Sequence, residues 1–461
     1  MRKLASLSLV SVLCGAALLS GCGGGKEAQK PAASTNNGSN PAASSTPDTA
    51  SKKEVPIKLW VYPMMNGING DGKGNPDDWA KEYAKKFKEQ YPNANISVEL
   101  LDWAGGTEKI DVAVAAGSPP DLVYTINNFG GVSKYGKMGA LEPIDSFLKQ
   151  ADWDDYPDAV KGAMKYGNNT YLWPWLKMVS GVAVNMDIFK ERNAEALLPM
   201  DRPLRDWTFD EFLKASQATT FSRSGGGKPD VYGTALWGKD GPFYMYLYGV
   251  ANGANIVNAN SDKVTITDPK FAEGMQFMAD LANKHKVVPP GGAGISGENA
   301  MSMFLNQQIA MYPATPNIFE EAKKAPKPFN IAFVAPPHGQ GHQTEAWNNV
   351  GGFIVFKQKE EEKKKLVMEF ARFITNAENS KIVKHIGVFP ARNSSGNVYG
   401  DDPVMTYMDQ LSKYGNSLYS RAFGLASVGD WEKELQAILT GGKTVESALK
   451  NMEQVLNDKM K

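Results

Sequence analysis

Amide and carboxylate side chains follow the first predicted strand, in a loop rich in glycine and asparagine. Residues 57–62 alternate apolar and polar side chains, which is typical of a strand, and the loop runs from 64 to 75. Asn66, Asn69 and Asp71 lie in this loop. Because the binding loops of an open α/β sheet lie at the carboxyl ends of its strands, the position favours hydrogen bonding to a polar ligand. A solvated glycine-rich turn explains the same residues equally well.

Further aromatic and polar side chains stand at other predicted strand ends and chain crossings. They are Asn127 and Asn128 after residues 120–124, Trp237 and Asp240 after residues 232–236, and Trp347 before a pair of glycines. Aromatic rings bury apolar area by stacking, and amide and carboxylate groups bond to the polar rim of a ligand. For any single tryptophan, burial in a core is an equally good interpretation. Trp79 and Trp431 lie at helical spacing and are predicted to be core residues.

Sequence motifs for metal, nucleotide and nucleophilic chemistry fail on inspection. A calcium-loop pattern from Asn69 has Lys73 at a ligand position and Ala80 where a glutamate is needed. A glycine pattern at 292–297 follows two prolines rather than a clear strand, so a dinucleotide site is not favoured. His338 and His342 are separated by glycines that argue against a shared helix face. We therefore expect no metal, no cofactor and no catalytic residue.

Composition narrows the class of protein. The chain has 461 residues, with 50 Lys and Arg, 50 Asp and Glu, 4 His and 2 Cys. At roughly 150 residues per domain, this length allows two or three domains. The neutral balance gives no long-range attraction to nucleic acid, and we expect no nucleic-acid partner. Aromatic residues make up 10% of the chain, which is the unusual figure.

The N-terminus has the pattern of an export signal. Two basic residues precede an apolar stretch at 4–19 that is short for a bilayer span. The sequence Leu19-Ser20-Gly21-Cys22 resembles a bacterial lipobox, which implies a signal peptide at 1–21 and lipid attachment at Cys22. Residues 22–54 are rich in small and polar residues and read as a flexible, lipidated tether. An ordinary signal peptide with an incidental cysteine is the alternative.

From residue 55 onward, predicted strands and helices alternate. The order strand, helix, strand, helix, strand at 57–124 implies a parallel sheet with helices on its faces. A second run of this kind begins near 181, and it includes a predicted capping box from Thr208 to Glu211 with Trp207 and Phe212 as a hydrophobic staple. The chain from 360 onward is mostly helical in pattern. We therefore predict two α/β lobes rather than one large sheet.

Several short segments, in the right order, resemble the family 1 solute-binding proteins of ABC importers. The segments are residues 115–123, 182–189, 207–212, 306–312, 351–355 and 388–392. The segment at 182–189 has Val184 where the family usually has tyrosine. Each motif is weak alone, but together with the lipoprotein-like start they cover nearly all of residues 55–461.

The resemblance implies a two-lobe, periplasmic-binding-protein-like α/β fold of type II with three hinge crossings. By similarity to the family, the crossings are expected near 175–179, 310–314 and 347–352. Lobe 1 is then expected at 55–176 and 313–347, and lobe 2 at 177–311 and 350–461. A ligand would be caught in the cleft between the lobes.

The resemblance also implies a carbohydrate ligand, and an oligosaccharide is expected. The resemblance adds four residues to the candidate binding residues named above. They are Tyr124, Trp173, Trp175 and Arg392. Arg392 alternatively pins two helices together. The expected partners are the permease subunits of an ABC transporter, with its cytoplasmic ATPase acting indirectly, and the membrane through the lipid anchor. We expect a monomer on the extracellular or periplasmic side of the cell membrane.

Three other functions fit the same residues. A secreted glycoside hydrolase would also be rich in aromatic residues, but it needs two carboxylates at a defined separation, which sequence spacing does not reveal. A binding protein for peptides or another polar solute is the second. A partner of a membrane sensor kinase is the third. The resemblance favours a binding protein, not an enzyme.

Overall fold

The computed structural model describes residues 53–459, except for 104, 127–130, 241–242, 259–262 and 417–427. The predicted signal peptide, Cys22 and the predicted tether up to residue 52 lie outside the described residues. Within the described part, no helix is both long and apolar enough to cross a membrane.

Strands form one mixed sheet of nine strands and a small hairpin. They are β1 (Val55–Val61), β2 (Ala94–Leu100), β3 (Leu122–Ile126), β4 (Lys165–Tyr166), β5 (Asn169–Thr170), β6 (Leu172–Asn185), β7 (Tyr232–Thr234), β8 (Ile309–Ala314), β9 (Ile331–Val334), β10 (Trp347–Val355) and β11 (Phe389–Pro390). The order in the main sheet is β2-β1-β3-β10-β6-β8-β7, with β9 and β11 also pairing with β6, and β4 pairs with β5. The predicted α/β class with a parallel start is confirmed, because β1 pairs in parallel with both β2 and β3.

Helices cover the sheet. They are α1 (Asp78–Gln90), α2 (Gly106–Ala115), α3 (Gly131–Lys137), α4 (Gln150–Asp154), α5 (Asp158–Ala163), α6 (Met186–Glu191), α7 (Phe209–Ala218), α8 (Leu247–Val250), α9 (Pro269–Asn283), α10 (Gly297–Leu305), α11 (Ile318–Lys324), α12 (Glu361–Ile374), α13 (Pro403–Leu411), α14 (Val428–Leu439) and α15 (Val445–Lys459). In α1 the apolar positions Trp79, Tyr83 and Phe87 are buried on one face, as their spacing predicts.

The buried side chains form two separate clusters. The first cluster takes its residues from 55–176 and 350–391, and the second takes them from 179–346 and 389–456. Strand β6 carries the chain out of the first cluster, and the antiparallel strand β10 carries it back. The two clusters therefore share the long strand pair β6–β10.

Strand pairing places residues 310–314 beside β6. Pro313 and Ala314 pair with Val182 and Gly181 of β6, so the chain stays with the second cluster at 310–314. The buried side chains of Ile318, residues 333–335 and Ala346 also belong to that cluster and not with residues 55–176. Near 388–391 side chains of both clusters alternate, since Phe389 packs in the second cluster while Val388 and Ala391 pack in the first.

Two glycines allow β10 to lie close to its neighbours at the crossing. A Cβ atom added at Gly352 would lie 2.2 Å from the carbonyl oxygen of Trp173, and one at Gly351 would lie 2.6 Å from the Tyr124 hydroxyl. Backbone atoms cannot move aside as a flexible side chain does. The glycine pair is therefore a packing requirement of the β6–β10 crossing.

Candidate functional site

An aromatic pair stands at the carboxyl ends of β1 and β2. Tyr62 follows β1, Trp103 follows β2, and their rings stack with centroids 4.5 Å apart and planes at 16°. The Tyr62 hydroxyl shares a hydrogen bond of 3.2 Å with the Thr107 hydroxyl, and burial is the main cause that raises the pKa of Tyr62. Trp103 remains 45% exposed. The pair is a rigid, partly open aromatic surface, which we call the first aromatic surface.

Sequence reasoning missed this pair. The sequence did contain a signal for it. Trp103 comes three residues after the end of β2, at the same edge of the parallel sheet as the loop at 64–75. The rule that places binding loops at the carboxyl ends of parallel strands selects Trp103 as readily as Asn66. Trp103 also comes shortly before a glycine pair, Gly105 and Gly106. In the structure it is more exposed than a core tryptophan usually is.

A second group of aromatic rings belongs to the second cluster. Tyr244 lies 4.6 Å from Trp347 and 5.7 Å from Trp237, measured between ring centroids, and Trp237 lies 5.7 Å from Tyr312. Tyr244 and Trp347 are partly exposed, whereas Trp237 is only 2% exposed. We call the rings of Tyr244 and Trp347 the second aromatic surface.

Strand pairing holds the second aromatic surface in place. Trp347 pairs with Ser180 across β10 and β6, and the Ser180 and Tyr244 hydroxyls are hydrogen-bonded to each other. Burial raises the pKa of the Tyr244 hydroxyl far above its ordinary value, which already keeps a tyrosine neutral at physiological pH. The surface therefore combines aromatic faces with uncharged hydroxyl groups.

The loop at 64–75 presents polar side chains to solvent. Asn66, Asn69 and Asp71 are all exposed. One Asp71 oxygen accepts a hydrogen bond of 3.0 Å from the Lys73 backbone N–H, and Gly70 lies against the side chain of His385. The loop is thus ordered by local bonds while its side chains stay accessible.

Three aromatic residues of the candidate set are core residues in this structure. Tyr124, Trp173 and Trp175 are 0% exposed. Trp175 stacks on Trp79 with centroids 4.8 Å apart, and Tyr124 meets Trp175 edge-on at 5.6 Å. Trp79 of α1 and Phe353 of β10 pack against these rings, and their place in a ligand cleft stays a prediction. These rings support the sheet beneath the site.

Arg392 is committed to an internal ion network. Its guanidinium donates to the Thr375 carbonyl at 2.7 Å and to Asp152 at 3.0 Å, and it lies 3.4 Å from an Asp155 oxygen. It also stacks over the ring of Tyr156 at 4.7 Å. With its side chain 5% exposed, Arg392 connects α12 to α4, which is the alternative role that the sequence allowed.

The structure describes only some of the remaining residues of the candidate set. Asp240 is exposed and adopts a left-handed backbone conformation with φ of 55°. Asn127 and Asn128 lie outside the described residues. Among the residues that the structure describes, no group of three or more His, Cys, Asp or Glu side chains is arranged to hold a metal ion.

Curated relatives are similar over part of the chain. The diacetylchitobiose binding protein DasA of Streptomyces coelicolor is 27% identical over 218 residues, which is 47% of this chain and 45% of that protein. An uncharacterized ABC transporter extracellular-binding protein of Pyrococcus horikoshii is 26% identical over 194 residues, 41% of this chain and 38% of that protein. The matched regions thus span less than half the length of these two relatives.

Solved structures are similar over most of the chain. An ABC substrate-binding protein of Listeria monocytogenes in complex with cycloalternan matches with a TM-score of 0.66 and 21% identity, covering 88% of this chain and 99% of the other. The maltose/maltodextrin-binding domain MalE of Bdellovibrio bacteriovorus bound to maltotriose matches with a TM-score of 0.64 and 17% identity, covering 88% and 99%. At these identities the likeness establishes the α/β periplasmic-binding-protein fold.

The family model for the bacterial extracellular solute-binding proteins matches residues 73–381, well over half of the chain. The match begins at residue 73, so it includes only the last part of the loop at 64–75. It contains Trp103, Tyr244 and Trp347. This is a family of binding proteins and not of enzymes, so the hydrolase alternative is set aside. The chain belongs to the bacterial extracellular solute-binding protein family.

Proposed function

We propose that this protein captures an oligosaccharide between the first and the second aromatic surface and delivers it to the permease of an ABC importer. The observation that carries the proposal is the position of the two surfaces. Tyr62 belongs to the first cluster, whereas Trp347 packs against the second. A sugar has flat C–H faces that stack on such rings and a rim of hydroxyls that bonds to polar groups.

We propose that the two clusters are the lobes of the molecule. Their shared elements, β6, β10 and the segment near 388–391, would then act as hinges. Rotation about a few hinge residues brings two lobes together around a ligand and excludes water from it. Under this assignment residues 313–347 would belong to the second lobe and residues 350–388 to the first, which is the reverse of the boundaries expected from sequence.

Relatives support an oligosaccharide as the ligand class. The relative from Streptomyces coelicolor is a diacetylchitobiose binding protein, and the structural neighbours were solved with cycloalternan and with maltotriose. The neutral charge balance of this chain is compatible with an uncharged ligand. The exposed amides of Asn66 and Asn69 and the carboxylate of Asp71 are the groups we propose for the hydroxyl rim.

We further propose that the protein is anchored to the outer side of the cell membrane through lipid at Cys22. The support is the lipobox-like sequence Leu19-Ser20-Gly21-Cys22 and the polar segment that separates it from β1. A tether of this composition would let the folded body reach the permease. Metabolic labelling with a radioactive fatty acid tests the anchor: label is expected on the wild type and absent from Cys22→Ser.

A thermal-shift screen followed by calorimetry tests the ligand class. The panel contains diacetylchitobiose, maltotriose and mannotriose, with a tripeptide as the alternative polar solute. Ligand at 100 times its dissociation constant stabilises the folded state by about 2.7 kcal/mol, which is readily measured. Saturable binding of a sugar supports the proposal. Heat from the peptide with none from any sugar would replace it with a peptide-binding function.

A further inference from the structure

One face of the chain entering β10 carries polar groups without partners. Residues 345, 347 and 349 alternate along an extended segment, so their side chains lie on the same face. The indole N–H of Trp347 and both polar atoms of the Asn349 carboxamide are buried without a hydrogen bond. Glu345 is partly buried and has no hydrogen bond or ion pair with any residue that the structure describes.

Polar side chains on the opposite face of the same strand pair donate hydrogen bonds within the protein. Asn348 donates through Nδ2 to the Ser412 carbonyl at 3.1 Å. Lys177, on β6, donates to Asp409 at 2.8 Å and to the Ser412 hydroxyl at 3.0 Å. The two asparagines are adjacent in sequence and both are buried, yet only the carboxamide of Asn348 donates a bond within the protein.

Unsatisfied buried polar groups are rare because each loses its bonds to water without replacement. Two of them, at Trp347 and Asn349, lie on one strand face beside the partly buried Glu345, and this grouping needs an explanation. Burial alone raises the pKa of Glu345 to about 7, which reports that its charged form lacks a compensating donor. A ligand that brings both donors and acceptors would satisfy all three side chains at once.

We propose that Glu345, Trp347 and Asn349 form a polar strip that recognises hydroxyl groups of the bound oligosaccharide. Glu345 accepts charge-assisted hydrogen bonds, the Trp347 indole donates one, and the Asn349 carboxamide does both. The strip rests on the proposed function, and it assigns two specificity-determining residues, Glu345 and Asn349, that the sequence did not single out.

The position of the strip agrees with that role. Trp347 belongs to the second aromatic surface, in contact with Tyr244. Asn349 lies two residues further along, next to Val350, where β10 passes into the first cluster. Rotation of the two clusters about this strand is the motion that gives a ligand access to the Asn349 carboxamide.

Two substitutions in the full-length chain test the strip. Asn349→Leu replaces an unpartnered carboxamide by an apolar group of similar shape, so the melting temperature is expected to stay the same or rise. The affinity for the sugar is expected to fall about tenfold, because a hydrogen-bonding group is lost. Glu345→Gln keeps the shape, removes the charge and is expected to weaken binding by a similar factor. Calorimetry with diacetylchitobiose, maltotriose and mannotriose gives the affinities.

Asn348→Leu is the matched control. It loses the bond to Ser412, so its melting temperature is expected to fall while its affinity for sugar stays at the wild-type value. Wild-type affinity in both Asn349→Leu and Glu345→Gln would overturn the strip and leave the proposed function intact. A wild type that binds none of the three sugars would overturn the proposed function, and the strip with it.

Discussion

Individual tryptophans show what residue type and spacing can predict. Trp79 and Trp431 lie at helical spacing, and their predicted burial is confirmed, since both are 0% exposed. Trp103 and Trp175 differ in a way that local pattern does not reveal. Trp175 is buried because β10 pairs beside it and Trp79 stacks on it, whereas Trp103 stacks on Tyr62 and remains 45% exposed. Long-range packing, which a local pattern does not contain, decides which ring is exposed.

At the residue scale, Trp103→Ala is expected to weaken sugar binding with little change in stability. The exposed ring would lose its stacking contact with the ligand, which corresponds to a loss of affinity of about three- to tenfold. The free energy of unfolding should change by about 1 kcal/mol, because Trp103 is 45% exposed and its loss removes one stacking contact with Tyr62. Calorimetry and urea denaturation measure the two quantities.

Trp153→Ala is the control for that substitution. Trp153 is also a partly exposed tryptophan, but it lies on α4 beneath the Lys165 ammonium at 4.7 Å, away from both aromatic surfaces. Its affinity for sugar should match the wild type. Equal losses in the two variants, or none in either, would contradict a binding role for Trp103.

Secondary-structure elements were predictable where their signals are local. The capping box of α7 is confirmed: the Thr208 hydroxyl accepts from the Glu211 backbone N–H at 3.3 Å, and the Glu211 carboxylate accepts from the Thr208 backbone N–H at 2.8 Å. The Trp207 and Phe212 rings of the predicted staple also meet, with centroids 5.3 Å apart. By contrast, the route of the chain after β8 depends on pairing with β6, more than a hundred residues earlier, and the sequence pattern did not contain that information.

At the element scale, Glu211 makes the stability of this region depend on pH. The Arg202 guanidinium, and then the Thr208 backbone N–H, lower the pKa of Glu211 from 4.5 to about 2. Because the folded-state pKa lies below the unfolded one, its stabilising effect is fully present above about pH 4.5 and is lost as the pH falls towards 2. Glu211→Gln should therefore be destabilised relative to the wild type at pH 7 and converge with it in acid.

Melting temperatures of the wild type and Glu211→Gln between pH 7 and pH 2.5 test this pH dependence of the stability. Thr208→Ala provides the comparison, since loss of an N-cap hydroxyl costs about 1 kcal/mol and does not itself titrate. Part of its deficit should persist at low pH, because the bond from the Glu211 backbone N–H to the Thr208 hydroxyl does not titrate, while the bond from that hydroxyl to the Glu211 carboxylate at 3.2 Å does. A constant difference between Glu211→Gln and the wild type across the whole range would contradict the contribution of the ionised carboxylate.

Across the whole molecule, the aromatic residues fall into two groups. Most rings fill the two clusters, and a few partly exposed ones stand at strand ends on different clusters. The sequence predicted the α/β class and the two-lobe pattern, because alternation and helix signals repeat along the chain. It predicted the polar loop but not the first aromatic surface, and it did not distinguish fully buried rings from partly exposed ones. Exposure depends on how β6 and β10 cross between the clusters, which is a property of the complete fold.

At the scale of the whole molecule, a saturating sugar is expected to compact the protein. Two clusters that share only a strand pair and short crossings can rotate without losing their buried cores, and a ligand held between both aromatic surfaces favours the closed arrangement. Small-angle X-ray scattering should show a smaller radius of gyration with the sugar that binds best in the screen. The tripeptide, at the same concentration, should leave the radius unchanged. Sugar binding confirmed by calorimetry, with scattering curves that superimpose, would mean that the ligand binds to one cluster alone.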